Sequence, residues 1–431
     1  MAESRTVAFH TLGCKLNFSE TSSLSRLLEN EGFVKKEFDD MADVYVINTC
    51  SVTENANKEC RHLVRRIRRK APESLVVITG CYAQLKPKEI SEIPGVNLVL
   101  GAAEKYNIAQ HIRELSKGDS AKICSCDIEE VSGFHLSYSI NDRTRTFLKV
   151  QEGCDYNCSF CTIPMARGKS RSDSIANVVK NVKELAAEGT REIVLTGINL
   201  GDFGKGPDGG LTNSVSINGR TENFFALIQE LELVEGIDRY RISSIEPNLL
   251  TNEIIEFVAN SGKFMPHFHI PLQSGSNTIL GLMKRRYKRE LYAERVKLIK
   301  TLMPHCAIGV DVIVGFPGES EEYFKETFVF LHSLDISYLH VFTYSERDNT
   351  HALTLKPVIP VNIRHERNKK LRNLSYMKMQ YFTEQHAGQT RKVLFEKQEK
   401  GEMMEGYTDN YIRITTHYRE EWKNKIIEWT V

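Results

Sequence analysis

The sequence predicts an α/β protein in three parts: an N-terminal parallel-sheet α/β domain, a central partial (β/α)6 barrel and a small all-β barrel at the C-terminal end. Three observations carry this reading. Short apolar or β-branched runs alternate with helical patterns up to residue 145, the alternation resumes in larger units from residue 146, and after a basic helix only short strands follow. Strands alternating with helices imply a mostly parallel sheet, because a parallel crossover needs a helix-length connection. At 431 residues the chain exceeds one ordinary core. Boundaries are expected at 1–126, a linker 127–145, 146–361, a connecting helix 362–387, and 388–431.

In the first domain, strands are expected over 6–11, 43–48, 75–79 and 97–100, with helices over 19–31, 57–70 and 104–116. Loops at the carboxyl ends of parallel strands gather on one edge, so functional side chains belong there. Cys14, Cys50 and Cys81 each follow a predicted strand and should meet at that edge. Between the last two lies KECRHLVRRIRRKAP, in which Leu63, Val64 and Ile67 form an apolar stripe. Most of Lys58, Arg61, Arg65, Arg66, Arg68, Arg69 and Lys70 then face outward, as a solvated face or a polyanion contact. Residues 127–145 carry no clear period, which fits a linker.

The second domain has strands expected over 146–150, 192–196, 240–244, 267–272, 309–314 and 338–343. Helices are expected over 175–188, 224–233, 252–260, 291–302 and 321–334. Six such units suit an open partial barrel with its chemistry at the carboxyl ends of the strands. Directly after the first strand, FLKVQEGCDYNCSFC sets Cys154, Cys158 and Cys161 in a C-x3-C-x2-C pattern. Three thiolates so close can hold three corners of an iron–sulfur cubane, with no fourth cysteine nearby. Structural zinc usually takes paired C-x2-C knuckles and four closed ligands, a poorer match. Cys60, Cys124, Cys126 and Cys306 lack a matching set and read as structural or incidental.

Composition narrows the class. A hydrophobic content of 41%, a charged content of 26% and a net charge of +1 describe a soluble globular chain with no global pull on polyanions. No run approaches the ~20 apolar residues of a membrane span, and MAESRTVAFH lacks a signal-peptide core. A cytoplasmic protein with no membrane partner is expected. Ten cysteines in a reducing compartment, none after Cys306, point to metal or redox chemistry.

The run FLKVQEGCDYNCSFCTIPMARGKSR resembles the signature loop of radical S-adenosylmethionine (SAM) enzymes. That resemblance implies a 4Fe-4S cluster whose open iron holds SAM, and an electron from the cluster that splits SAM to a 5′-deoxyadenosyl radical. TLGCKLNFSET, DVYVINTCSVT and TGCYAQ, in that order ahead of it, resemble the N-terminal domain of the methylthiotransferase branch. This implies a second 4Fe-4S cluster on Cys14, Cys50 and Cys81 beside the one on Cys154, Cys158 and Cys161. It further implies SAM contacts from Phe160 and from LTGINLGDFG, with Thr196, Gly197 and Asn199. RISSIEPN offers Ser243 and Glu246, HIPLQSGSN offers Gln273 and Ser274, and MKRRY offers Arg285. GVDVIVGFPGE offers Gly315, Phe316 and Gly318, where backbone can approach the adenine. Two departures from the family pattern, Asp173 and Asp348-Asn349-Thr350, are expected to border the substrate opening.

The end of the chain, through GYTDNYIRI, resembles a TRAM domain, an RNA-binding module. Lys392, Tyr411 and Arg413 there, with Arg65, Arg66 and Arg69, are the candidate RNA contacts. The family replaces a carbon-bound hydrogen by a methylthio group, using two SAM molecules. TLGCKLN resembles the branch acting on N6-threonylcarbamoyladenosine at position 37 of tRNA, next to the anticodon. The isopentenyladenosine branch more often reads TYGCQMN, and the branch acting on a ribosomal protein reads SLGC with a following KN. The resemblance also implies an electron donor such as flavodoxin or ferredoxin, and a sulfur source. Radical methylation of RNA without sulfur insertion, and a non-catalytic RNA-binding iron–sulfur protein, are the other readings of the same motifs.

Overall fold

Val44–Thr49 is buried at every position, and the N-terminal domain is built on both of its faces. The computed structural model describes residues 5–51, 54–115, 121–131, 133–140, 144–205, 222–396 and 402–431. Its first sheet comprises β1 (Thr6–Thr11), β2 (Val34–Lys36), β3 (Val44–Thr49), β4 (Leu75–Gly80), β5 (Leu98–Leu100) and β6 (Lys122–Cys124). All six run parallel in the order β2-β1-β3-β4-β5-β6. Val44 and Val46 pack on Leu24 and Leu28 of the helix Lys15–Asn30. Tyr45 and Ile47 pack on Leu63, Val64 and Ile67 of the helix Glu54–Lys70, the expected stripe. A strand covered on both faces reads as one apolar run, which is why β3 was legible. The edges β2 and β6 were not: VKK is fully exposed and charged, and neither three-residue strand carries a period.

The barrel begins with β7 (Ser137–Tyr138) and β8 (Arg145–Lys149), then a two-strand pair of β9 (Gln151–Glu152) and β10 (Arg171–Ser172). It continues with β11 (Glu192–Thr196), β12 (Arg239–Ile242), β13 (His267–Gln273), β14 (Ala307–Val314) and β15 (Tyr338–Thr343). Parallel pairing runs β8-β11-β12 and β13-β14-β15, and isolated parallel bridges from Tyr240 to Phe264 and from Ser244 to His269 join the halves. Side chains alternate across a strand. Leu148, Ile193, Leu195, Tyr240, Ile242, Phe268, Ile270, Val310 and Val312 enter the main core with the surrounding helices. The opposite face carries Arg145, Glu192, Arg241, His267, His269 and Asp311, so the inside of the barrel is charged.

The helix Val361–Glu384 leads to β16 (Thr390–Phe395), β17 (Met403–Thr408), β18 (Arg413–His417) and β19 (Ile426–Thr430), an antiparallel sheet in the order β18-β17-β16-β19. It closes the barrel at the strands' N-terminal ends. Arg239 donates to the carbonyls of Lys392 and Tyr407, and Arg241 to those of Thr408 and Asp409. Among the described residues no helix is long and apolar enough to cross a membrane.

Candidate functional site

Glycine sets the approach of the first three cysteines. β1, β3 and β4 are neighbours, so the segments carrying Cys14, Cys50 and Cys81 leave the sheet side by side. Gly13 has φ 105°, and a Cβ there would lie 2.9 Å from Cys50 Sγ. Gly80 has φ 96°, and its Cβ would lie 2.3 Å from the Thr49 carbonyl. Buried Asn17 ties the segments together: its Nδ2 donates to the carbonyls of Leu12 (2.8 Å) and Thr49 (3.0 Å). Its Oδ1 accepts from Cys14 Sγ at 3.9 Å.

The same device precedes the second triplet. Gly153, at φ 72°, would place a Cβ 2.0 Å from the Lys169 carbonyl, and Cys154 N–H donates to Gly168. Donors then point at each sulfur: Tyr156 N–H at Cys154 (3.4 Å), Ile163 N–H at Cys161 (3.4 Å) and Arg285 Nη1 at Cys158 (3.0 Å). Burial nevertheless pushes the Cys154 and Cys161 thiols up to about 12. Such thiols become thiolates when a metal supplies the compensating charge, and donors aimed at sulfur suit that state. Each triplet offers three sulfurs, a donor set that fits a cubane with one iron left open. Cys60 and Cys306 lie in apolar cores and Cys124 contacts His111, consistent with structural roles.

The two triplets are neighbours. Thr162, which follows Cys161, lies 3.5 Å from the hydroxyl of Ser51, which follows Cys50. The helix Ile163–Arg167 packs on the helix Cys81–Leu85, and Arg167 Nε donates to Cys81 Sγ at 3.2 Å. Arg167 also binds Asn17, Glu20 and Glu152, in a buried cluster completed by Lys105 and Lys149. Arg171 also meets Glu152, at 3.8 Å, so two carboxylates face four cations and the cluster is net positive beside Cys81. Burial raises the Cys81 thiol and Arg167 opposes the rise. Beside this junction opens a cavity of about 310 Å³ lined by Ser51, Arg61, Thr162, Met165, Arg347 and Asp348. Asp348 there pairs with Lys86 at 2.6 Å, so this departure does border an opening. Asp173 does not line it: its carboxylate accepts from Ser174 N–H and Asn177 at the start of the helix Ile175–Ala187.

The candidate SAM residues divide. Asn199 Oδ1 and Ser243 Oγ are buried at the ends of β11 and β12 without a hydrogen-bond partner among the described residues, as a site awaiting a polar ligand requires. Arg285 pairs with Glu246, and its Nε donates to the hydroxyl of Tyr287, which in turn donates to the Pro271 carbonyl. Gln273 takes φ 69° at a bulge in β13. Thr196 donates to Val194, and a Cβ on Gly197 would meet Gln151 Oε1 at 2.9 Å. Phe160 packs edge-on to Phe316, centroids 6.2 Å apart, with Phe316 fully buried. One expectation is corrected. Ser274 turns away, its hydroxyl meeting Thr327 and the N–H of Ser276. At Gly315, φ 74°, an added Cβ would lie 2.3 Å from Arg364 Cγ. Gln151, which holds the N–H groups of Ile198 and Asn199 at 2.9 Å, was missed because a buried glutamine leaves no pattern in sequence.

Of the RNA candidates, Arg65, Arg66 and Arg69 are exposed, and Arg66 meets exposed Asp39 at 2.8 Å. Arg61 and Arg68 are turned to the protein, Arg61 on Glu89 and Arg68 on backbone carbonyls such as Ser74. Lys392 and Arg413 are exposed, the latter paired with Glu405. Tyr411 is corrected: it faces the barrel, stacked on His267 (4.0 Å, 9°) and Tyr407 (4.8 Å). There Asp311 accepts from His269 (2.9 Å) and His340 (3.2 Å), and the two histidines hold its carboxyl well below the usual range although burial opposes them. Burial lowers the pKa of Lys15. The signal for this group was the polar alternation in HFHIPL, GVDVIV and YLHVF.

Two family models match the chain: one described as "Uncharacterized protein family UPF0004" over residues 6–101, and one described as "Radical SAM superfamily" over residues 148–331. The threonylcarbamoyladenosine tRNA methylthiotransferase MtaB of Bacillus subtilis (strain 168) is 40% identical, the match covering 98% of this chain and 93% of that one. The protein of that name from Aquifex aeolicus (strain VF5) is also 40% identical, over 97% and 98% of the two chains. The tRNA-2-methylthio-N(6)-dimethylallyladenosine synthase of Staphylococcus aureus (strain JH9) is 30% identical, over 99% and 83%. Among solved structures, the radical S-adenosylmethionine methyltransferase TsrM from Kitasatospora setae, with cobalamin and a [4Fe-4S] cluster bound, superposes with a TM-score of 0.54. It is 17% identical and covers 79% of this chain and 75% of that one, a likeness of fold alone.

Proposed function

Because the chain belongs to the radical SAM tRNA methylthiotransferases, we propose that it adds a methylthio group to C2 of N6-threonylcarbamoyladenosine at position 37 of tRNA, in the cytoplasm. The identities favour this substrate: relatives named for threonylcarbamoyladenosine reach 40%, and one named for dimethylallyladenosine 30%. In this reading Cys154, Cys158 and Cys161 hold the 4Fe-4S cluster that binds SAM, and Cys14, Cys50 and Cys81 hold a second. When bound, the two supply the electron that cleaves SAM and the site at which sulfur is handled, with two SAM molecules consumed.

The protein's own part is placement. Asn199 and Ser243 offer polar atoms, and Glu246, Gln273 and Arg285 ring the same end of the barrel. Phe160 supplies an apolar wall. Arg167 sets a positive charge at Cys81 and locks the two domains in register. A flavodoxin or ferredoxin delivers electrons, and a separate donor replenishes sulfur.

The adjacency of the two cysteine triplets, with Thr162 on Ser51 and Arg167 on Cys81, carries the reading. Nucleoside analysis of tRNA from a deletion strain tests it. The expected result is loss of the 2-methylthio derivative of threonylcarbamoyladenosine with the parent nucleoside retained; loss of only the isopentenyl derivative would reverse the choice. Methyl transfer without sulfur by the purified enzyme would instead favour an RNA methylase.

A further inference from the structure

Three metal-ligating side chains meet inside the barrel, on strands that carry none of the six cysteines. His269, Asp311 and His340 stand on β13, β14 and β15, neighbours in one parallel sheet. Asp311 lies opposite His340 in register, and His269 sits one pleat before Pro271, the partner of Asp311 on β13. Side chains two residues apart on a strand share a face, so all three point the same way. His269 Nε2 lies 2.9 Å and His340 Nδ1 3.2 Å from one carboxylate oxygen, Asp311 Oδ1, and the three ligand atoms fall within 4.8 Å of one another. An ion bound at about 2.0–2.2 Å to nitrogen and oxygen needs its ligand atoms roughly 3–3.5 Å apart. The two hydrogen-bonded separations are already close to that.

The surroundings suit a cation. Glu192, the neighbouring interior carboxylate, is met by guanidinium groups, those of Arg241 (2.7 Å) and Arg239 (3.6 Å). Asp311 is met instead by two imidazoles, and imidazole is the commonest metal ligand among side chains. Towards the N-terminal ends of the strands the wall is aromatic. The ring of Tyr338 fills the space over Gly309, where an added Cβ would lie 2.3 Å from it. Its hydroxyl meets His267 Nε2 at 2.8 Å, and His267 stacks on Tyr411. Solvent reaches the group at His340, whose side chain is 54% exposed against 13% for His269. An ion can therefore enter on one side while a packed wall orients the ligands on the other.

We propose that His269, Asp311 and His340 form a mononuclear zinc site, distinct from the two cysteine triplets. Two imidazoles and one carboxylate are the donor set of open zinc sites, which keep a fourth position for water or another oxygen ligand. The ion ties β13, β14 and β15 together, and because it binds the folded chain it raises the unfolding temperature by mass action.

The test uses anaerobically reconstituted holoenzyme, cleared of loosely held metal by a mild chelator and then given one equivalent of zinc. Zinc X-ray absorption should show nitrogen and oxygen neighbours at about 2.0–2.1 Å and no sulfur at about 2.3 Å. Titration should give one such site per chain, and thermal unfolding should move upward with zinc. Loss of even an outer partner of a metal costs about ten-fold or more in affinity. Asp311→Asn and His340→Gln should each weaken zinc binding by at least that factor and remove the thermal shift, with wild-type iron content. Sulfur in the zinc shell, less than one nitrogen- and oxygen-bound zinc per chain, or wild-type zinc affinity in either variant overturns the proposal. Should Asp311→Asn fail to fold, the exposed His340→Gln and the wild-type zinc shell still decide.

Discussion

Gly80 shows how a single missing side chain can place a candidate ligand. At φ 96° and 2.3 Å from the Thr49 carbonyl, an added Cβ meets backbone that has no room to yield. Gly80→Ala should destabilise the protein by about 2–4 kcal/mol and lower the iron loaded at the first triplet, as read by denaturant unfolding and iron analysis. The buried cluster around Arg167 makes a second prediction at this scale. Burial alone would raise the Glu20 and Glu152 carboxyls, but Arg167, Lys105 and Lys149 hold both well below the ordinary 4.5. A depressed carboxyl stabilises the fold fully above its unfolded value and loses that contribution as pH falls towards its folded one. Stability should therefore decline as pH drops below about 4.5, and Glu152→Gln should flatten that decline in pH-dependent thermal unfolding. An unchanged acid limb would remove the cluster from the account.

At the scale of elements, the helix Glu54–Lys70 turns Leu63, Val64 and Ile67 into the sheet and leaves Arg65, Arg66 and Arg69 outside. Exposed guanidinium groups on one helix face meet phosphate through counter-ion release, which makes binding salt-dependent. Reversing all three to Glu should weaken tRNA binding and reduce the slope of log affinity against log salt by about 2–3. Equal slopes would take this helix off the RNA path. The tail illustrates the opposite case. GYTDNYIRI reads as an RNA-facing stretch by composition, yet Arg239 and Arg241 bind its backbone to the barrel and Tyr411 is stacked inside. Aromatics suit both base stacking and domain packing, and only a partner's position separates the two.

For the molecule as a whole, the reading of two clusters divides cleanly by variant. Changing Cys14, Cys50 and Cys81 together to Ala should halve the iron and sulfide of the reconstituted protein, leave reductive SAM cleavage and abolish methylthiolation. Changing Cys154, Cys158 and Cys161 should also halve the iron but abolish SAM cleavage. Loss of all iron from either set would mean the triplets form one site.

The sequence by itself determined the alternation that makes the parallel sheets, the order of the motifs, and the places of six cysteines in loops that follow strands. These signals are local: a strand's two-residue period and a cysteine a few residues beyond it survive reading along the chain. Tertiary structure alone decided that Glu20, Lys105, Lys149, Glu152, Arg167 and Arg171 form one buried ionic group, and that the Ser274 hydroxyl serves packing. Charges far apart in sequence become partners through the docking of one domain on another, and no period along the chain records which side chains that docking brings within reach.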